Sequence, residues 1–516
     1  MQVESLKSRD ISLIGILRSK ATRFLSMNEH RLHRTCSYGL LVSGLLTLSV
    51  SVFFSSCREE QVSYDPSLRL TLSVDSLAFD TVFTGFGTST QRVTLYNTNA
   101  NALTIESASL QDGRFFRVNI DGEADSTRWK RLTIRGKDSA FIYVRVYVDP
   151  IGQNNPLIIS DKLLFRYNGN QTSLSLSAIG QDVTVLHKAD YSNSQRLRAN
   201  KPYLVMDTLI FRKNLTIDAG ATLYMHNNAA IFALGNVTAK GTIDEPIIIR
   251  GHRTDRLFDS VPYAYASGQW NGIYMLHAGS EKCTYTFQFV DVLSGNVGLF
   301  CQSENTSAPL PKLTVYGCRI HNMSVYGLVC LNTDATIVNN EISNCASHGI
   351  YLQGGSHTLV HNTVAAYFGY PYTNLNIHSA QREDVAAVYI NNLSKQMAPM
   401  ETYMYNNIIT GARANCLVLA APMQELYTGE FRGNYLRADS FALPQFSANR
   451  YAKDDDTVFV NNHYLYKEYR YFDFHLDAHS PVIGIGEADK ASLYPQDREG
   501  VSRTERADAG CYQLTP

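Results

Sequence analysis

The sequence predicts an all-β protein, a sandwich of short strands followed by a β-solenoid. Two landmarks share one period. Asn339-Asn340-Glu341-Ile342 is followed 22 positions later by His361-Asn362-Thr363-Val364, and Gly327-Leu328-Val329-Cys330 is followed 22 positions later by Gly349-Ile350-Tyr351-Leu352. A repeat that short cannot bury its apolar side alone, so copies stack and share a core. Between the landmarks lie β-formers and turn formers without a 3.6-residue period. An earlier block alternates apolar and polar residues, as in Phe141-Ile142-Tyr143-Val144-Arg145-Val146-Tyr147-Val148, the mark of half-buried strands.

At 516 residues the chain is long enough for two to three domains, and its 44% hydrophobic content supports large cores. Charged residues make up 18% and the formal net charge is -1, so no basic excess recruits nucleic acid. Cys283, Cys301, Cys318, Cys330, Cys345, Cys416 and Cys511 form no CxxC pair, which argues against zinc. Cys301 and Cys330 each follow an inward apolar residue by two and read as small buried hydrophobes. No metal or cofactor is expected.

The amino terminus reads as a targeting segment. Arg31, His33 and Arg34 precede an apolar run from Tyr38 to Phe54 that ends in Phe54-Ser55-Ser56-Cys57. A cysteine after that small pair resembles the lipobox of bacterial lipoproteins, which implies that Cys57 becomes the lipidated first residue. Arg58-Glu59-Glu60 resembles the acidic export tag of surface lipoproteins in Bacteroidetes-type bacteria. Residues 1–57 are then a signal segment, with Met27 as an alternative start, and residues 58–66 a tether. The resemblance implies a bacterial cell-envelope protein, lipid-anchored in the outer membrane and exposed at the surface. An uncleaved anchor is the alternative, although a Ser-rich run of about 17 residues is marginal for a span.

Residues 67–185 are expected to form the sandwich. Leu70–Val74, Gln91–Tyr96, Phe141–Val148 and Leu174–Ile179 alternate with period two, separated by Asn, Gly and Asp turns. Gly87-Thr88-Ser89-Thr90, Asn97-Thr98-Asn99 and Ala178-Ile179-Gly180 resemble the immunoglobulin-like domains of the abnormal-spindle and hydin type. Such modules space or present other domains, and the fold assigns no chemistry.

The solenoid is expected over residues 200–465. The order of Leu215–Leu223, Ile231–Val237, Pro246–Ile249 and Trp270-Asn271-Gly272-Ile273 resembles the opening coils of right-handed parallel β-helix proteins of the pectate-lyase-like superfamily. Asn340, Asn362 and Asn407 recur before an apolar strand residue. Asn tolerates left-handed backbone and can bond the next rung, so a stacked Asn column suits a turn. Residues 466–516, with Asp497, Gly500, Arg503 and Asp508-Ala509-Gly510-Cys511-Tyr512, resemble the closing segment of that family, where acidic residues and Arg tie down the last coil.

Strand alternation after each landmark glycine assigns directions. Ile273, Leu299, Leu328, Ile350 and Val388 point inward, whereas Tyr274, Phe300, Val329, Tyr351 and Tyr389 point outward in one column. Rungs about 4.8 Å apart would extend this column over roughly 20 Å, where aromatic rings can stack on sugar rings. Two insertions, about 252–269 and 369–384, fall at the same turn of their coils. The first brings Tyr263, Tyr265 and Trp270, and the second Tyr370, Tyr372, His378, Arg382, Glu383 and Asp384. A ridge with a loop at each end would make a trough.

Catalysis on this fold needs clustered carboxylates. Asp334 and Glu341 lie a part-turn apart and Asp291 two coils away, with no pair at the repeat spacing. Ser347-His348-Gly349 resembles the His-bearing motif of polygalacturonase-type hydrolases, but the partner acidic motifs are absent, and His348 reads as a turn residue. His357 and His361 would share a strand face without a carboxylate at metal spacing. Asp80-Thr81-Val82, Asp138-Ser139-Ala140 and Asp456-Thr457-Val458 match a short O-glycosylation pattern. The sequence favours an envelope lipoprotein that binds an extracellular or envelope polysaccharide, or another extended partner, without catalysis. A polysaccharide lyase or glycoside hydrolase is the alternative, and a structural or adhesive stalk the third reading.

Overall fold

A computed structural model describes residues 61–149, 156–258, 261–279, 282–306, 309–368, 385–393, 397–420, 428–462 and 472–515. Cys57, and Tyr370, Tyr372, His378, Arg382, Glu383 and Asp384 of the second insertion, lie outside the described residues.

Among the described residues the first unit has ten strands: β1 Thr71–Leu72, β2 Ser76–Phe83, β3 Gln91–Asn97, β4 Leu103–Leu110, β5 Phe116–Ile120, β6 Glu123–Ser126, β7 Arg128–Ile134, β8 Asp138–Val146, β9 Leu157–Tyr167 and β10 Asn170–Gln181. They form two five-stranded sheets, ordered β1-β3-β8-β5-β6 and β2-β10-β9-β4-β7. Alternation sends Leu95, Phe116, Ile142, Val144, Phe165 and Leu174 into a shared core, where each is fully buried. Tyr167 is buried as well, and its hydroxyl accepts the Leu70 amide at 3.0 Å.

From Thr184 onward the chain winds through three all-parallel sheets of 11, 9 and 10 strands. Sheet I runs from Thr184–Leu186 to Arg450–Tyr451, sheet II from Ala189–Tyr191 to Leu417–Ala420, and sheet III from Gln195–Leu197 to Phe446–Ser447. The coil stack thus starts earlier than residue 200, because Thr184, Val185 and Leu186 already pair with Tyr203, Leu204 and Val205. Inward columns make the core. In sheet II, Ile231, Ile273, Leu299, Leu328, Ile350, Val388 and Leu417 stand in register, each at most 2% exposed. Cys301 and Cys330 are paired inward neighbours, as expected. At Gly298 a Cβ would run into the Gly327 carbonyl and Ile320, so the landmark glycines mark a close approach of backbones.

The turn from sheet III to sheet I carries an asparagine ladder. Each Oδ1 of Asn340, Asn362, Asn407, Asn434 and Asn449 accepts the backbone amide one rung below at 2.8–3.0 Å. Each Nδ2 donates to a sheet III carbonyl at 2.7–3.0 Å. The residue before each rung is left-handed: Asn339, His361, Asn406, Gly433 and Ala448 have φ of 52–65°. His361 therefore sits in this turn, past the end of the Gly355–Val360 strand, and shares no strand face with His357.

Over its described residues, 472–515, the carboxyl-terminal segment lies lengthwise along sheet I, reaching back to Asp291, which receives Arg498 at 2.9 Å. Gly510 donates to Asn406 O at 2.8 Å and Cys511 to Thr363 Oγ1 at 3.0 Å. Arg503, buried, reaches Asn339 Oδ1 and His361 Nδ1, each at 3.2 Å. Among the described residues no helix is long and apolar enough to cross a membrane.

Candidate functional site: an uncharged aromatic and amide face

Sheet II places the outward column as alternation predicts. Phe232, Tyr274, Phe300, Val329, Tyr351, Tyr389 and Val418 are consecutive partners in register. The aromatic members are half-buried. Phe232 stacks on Tyr274 with centroids 4.9 Å apart and planes 14° apart, and Tyr351 on Tyr389 at 5.5 Å and 4°. His348 leans on Tyr389 at 4.7 Å and on Tyr326 at 5.7 Å, and its Nδ1 accepts the Ala386 amide at 3.1 Å. It is a buried turn residue, as the sequence suggests.

A second outward column runs beside the first, and sequence reasoning missed it. Leu276, Gln302, Leu331 and Gln353 follow one another in register, and Asn391 and Ala420 extend the column on the last two strands. The Asn391 amide donates to Tyr351 Oη at 2.7 Å, and that hydroxyl is 3.3 Å from Gln353 Oε1. The signal was available in the same registry: these residues stand two positions after each member of the first column from Tyr274 to Val418. From Ala230–Ala233 to Leu417–Ala420, no strand of sheet II contains Asp, Glu, Lys or Arg.

Val329 interrupts the rings. Its short side chain is 3% exposed and lies between Phe300 and Tyr351, two rungs or about 9.6 Å apart. Phe232 with Tyr274 and Tyr351 with Tyr389 form stacked pairs, Tyr274 and Phe300 are tilted at 5.7 Å, and the Tyr274 hydroxyl donates to Asn271 O at 3.3 Å. At the Val329 rung the stack is broken.

Three of the expected contributors have other work. Trp270 is fully buried in the solenoid core, and its indole N–H donates to Leu293 O at 2.9 Å. An apolar ring at the start of a coil is drawn inward, so it does not line a trough. Tyr263 and Tyr265 form a short 3-10 turn. The Arg253 guanidinium stands 3.7 Å from the Tyr263 ring, and the Tyr265 carbonyl accepts Asn322 Nδ2 at 2.9 Å. The first insertion docks the sandwich: Thr254 Oγ1 donates to Thr81 O at 2.8 Å, and Ser89 Oγ to Asp255 Oδ2 at 3.3 Å. Both insertions do connect sheet I to sheet II.

A cavity of about 310 Å³ lies at this joint, lined by Phe79, Phe83, Met206, His226, His252 and Arg253 among others. Arg253 is paired with Asp255. Burial, reinforced by His226, pushes the His252 imidazole down to about 4, so that ring is neutral near pH 7.

The carboxylates of sheet I are engaged beneath the carboxyl-terminal segment. Asp291, Arg319 and Glu341 are register neighbours. Glu341 accepts Arg319 at 3.3 Å, Ser343 Oγ at 2.9 Å and Tyr512 Oη at 2.6 Å. Burial alone would raise its carboxyl, but Arg319, His321 and Arg498 outweigh it and hold Glu341 at about 2. A carboxylate so stabilised neither takes nor gives a proton near neutrality. Among the described residues no three His, Cys, Asp or Glu converge as for a metal.

Residues 265–422 match the family described as right handed beta helix region. This stretch is a right-handed parallel β-helix. The fold is pectate-lyase-like, an architecture that serves both glycan-binding and enzymatic proteins. No curated protein matches the chain. Similar solved structures include a protein of unknown function from Porphyromonas gingivalis W83, 16% identical over 24% of this chain and 50% of its own length, TM-score 0.17. A family 123 glycoside hydrolase from Clostridium perfringens is 6% identical over 23% of this chain and 26% of its own, TM-score 0.16. The ASH / PapD-like domain of human CEP192 is 11% identical over 25% of this chain and 94% of its own, TM-score 0.16. The chain spans half the length of the first of these. Likenesses so partial carry no chemistry across.

Proposed function

We propose that the protein binds a neutral, extended glycan along sheet II without transforming it, and that a lipid on Cys57 holds it at the surface of a bacterial outer membrane. The observation that carries the binding reading is the uncharged face itself. The column of Phe232, Tyr274, Phe300, Tyr351 and Tyr389 runs beside a second column that carries Gln302, Gln353 and Asn391, whose amides both donate and accept. Ring stacking and neutral hydrogen bonds suit hydroxyl-rich sugars, while a uronate polymer would meet no cation on these strands. Glu341 and Asp291 are committed to Arg319, Arg498 and Tyr512 on another side of the prism, which supports binding over hydrolysis or elimination.

A glycan-array screen of the mature chain tests this, followed by titration of Tyr351→Ala/Tyr389→Ala and Val329→Tyr. The first variant removes two rings, and at about 1–3 kcal/mol per stacked ring should weaken binding at least tenfold. The second fills the break in the stack and should weaken it as well. Unchanged affinity in both, with folding intact, would exclude sheet II as the binding face.

A further inference from the structure

The cavity at the joint between sandwich and solenoid holds a column of soft donors. Met206, His226 and His252 line it, together with Phe83 and Phe86 of the sandwich. All three continue the sheet I ladder by one residue: Met206 N donates to Leu186 O, His226 N to Val205 O and His252 N to Met225 O, at 2.8–2.9 Å. They therefore take the same place on three successive rungs, each about 4.8 Å from the next. Val205 and Met225 point inward and are fully buried, so alternation turns the following residue toward the sandwich. The His226 and His252 ring centroids are 4.8 Å apart and their planes 33° apart. His226 Nδ1 is buried without a hydrogen-bond partner among the described residues. A buried ring nitrogen in that state calls for something that bonds it. The donor set decides what. No third His, Cys, Asp or Glu joins the two imidazoles among the described residues. The third group in register is a thioether. Of the carboxylates on the cavity wall, Asp255 is held by Arg253 and Ser89, and Asp80 accepts the Thr81 amide at 2.8 Å. Two imidazoles and a thioether carry no charge, and a soft ion of low charge suits them better than the hard cations that carboxylates hold. The spacings of 20 and 26 residues hide the trio in the sequence.

We propose that Met206, His226 and His252 bind a cuprous ion at this joint. One nitrogen of each imidazole and the Met206 Sδ supply lone pairs to it. Metal–nitrogen bonds of about 2.0 Å span up to roughly 4 Å between donors, so rings at the His226–His252 separation share an ion by a turn about their side-chain torsions. Phe83 and Phe86 line the same cavity and give the ion an apolar wall on the sandwich side. No residue of the site belongs to sheet II, so the site stands whether or not that face binds glycan.

The test uses the intact mature chain in a Cys283→Ser background, because Cys283 is the one thiol among the described residues that is not buried. Ascorbate-reduced copper, silver(I) and zinc(II) are separate probes, each in competition with a chelator of known affinity. Cuprous copper should bind at one equivalent, and silver(I), its redox-inert analogue, should bind likewise. His226→Phe/His252→Phe keeps two rings in contact but removes the nitrogens, and should lower the affinity roughly a hundredfold or more. Met206→Leu, close in volume, should lower it about tenfold. X-ray absorption at the copper edge should show nitrogen and sulfur neighbours, with the sulfur lost in Met206→Leu. Melting curves taken without copper should be unchanged in these variants, and Tyr351→Ala/Tyr389→Ala should leave copper binding untouched. No cuprous binding at one equivalent, or binding indifferent to the double histidine substitution, would overturn the proposal. Zinc(II) held as tightly as copper and indifferent to Met206→Leu would overturn it too.

Discussion

Replacing Asn362 with Ala interrogates the stacking on which both the core and the sheet II columns depend. Asn362 is fully buried in the middle of the ladder. Its Oδ1 accepts Asn340 N at 3.0 Å and Asn340 Nδ2 at 2.9 Å, and its Nδ2 donates to Ile337 O at 2.7 Å and Asn407 Oδ1 at 2.9 Å. Truncation leaves the Asn340 amide, one Asn340 Nδ2 hydrogen and the Ile337 carbonyl without these partners. Asn407 Oδ1 still accepts the residue 362 amide at 2.9 Å. Three buried groups orphaned at about 1–3 kcal/mol each, not fully additive, give a loss of about 3–6 kcal/mol. The left-handed turn at His361 would lose its side-chain brace as well. Urea unfolding followed by tryptophan emission measures this, because Trp129 belongs to the sandwich core and Trp270 to the solenoid core. A Trp129→Phe background leaves Trp270 to report the coils alone. A solenoid transition shifted by less than about 1 kcal/mol would refute the account of the ladder as a continuous set of obligatory bonds. Asn362→Asp provides an internal check. It keeps the acceptor for Asn340 but sets a carboxylate oxygen against Asn407 Oδ1, so it should destabilise at neutral pH and recover part of the loss when protonated.

Two further outcomes follow from buried groups. Tyr512→Phe removes the short bond to Glu341, a hydrogen bond to a charged acceptor, and should cost about 1.5–3 kcal/mol in the same unfolding assay. Acid should weaken the solenoid: burial pushes His357 down to about 3, and His321 likewise to about 3, so both are neutral in the folded chain. The unfolded chain takes these protons first, near its ordinary value of about 6.5, so their stabilisation is complete above that pH and is lost as pH falls toward 3. His357→Leu should flatten part of this decline and raise the midpoint, since neither ring nitrogen of His357 has a hydrogen-bond partner. A midpoint equally acid-sensitive in the variant would exclude His357 as a contributor.

The registry was legible because a parallel coil copies its side-chain directions from rung to rung. Once Gly327 and Gly349 were aligned, Tyr274, Phe300, Tyr351 and Tyr389 had to share a side, and they do. Asn434 and Asn449 were not legible as ladder members, because their spacings of 27 and 15 break the period while the geometry persists. Trp270 was misread for a reason of size. Its ring sits at the coil start next to an insertion, and only the packing shows that the interior has room for it. The lengthwise path of the last residues was also hidden. Asp497, Arg503 and Asp508 announce a polar closing segment, but the partners of Arg503 at Asn339 and His361, and that of Arg498 at Asp291, lie more than a hundred residues away in sequence.

The three sides of the prism differ because each column is free to choose its own chemistry. Sheet I accumulates Asp291, Arg319, Glu341 and His321, polar groups that need partners, and the carboxyl-terminal segment supplies them with Arg498 and Tyr512. Sheet III repeats threonine in register at Thr216, Thr238, Thr286, Thr314, Thr336 and Thr358. That column of stiff β-branched residues satisfies strand geometry and water together. Sheet II alone keeps large apolar rings half-exposed without charge, and the carboxyl-terminal segment, which could have covered them, is laid on sheet I instead. Among the described residues the carboxyl-terminal segment packs on the charged side, where Arg498 and Tyr512 meet Asp291 and Glu341, and the aromatic side keeps its rings half-exposed.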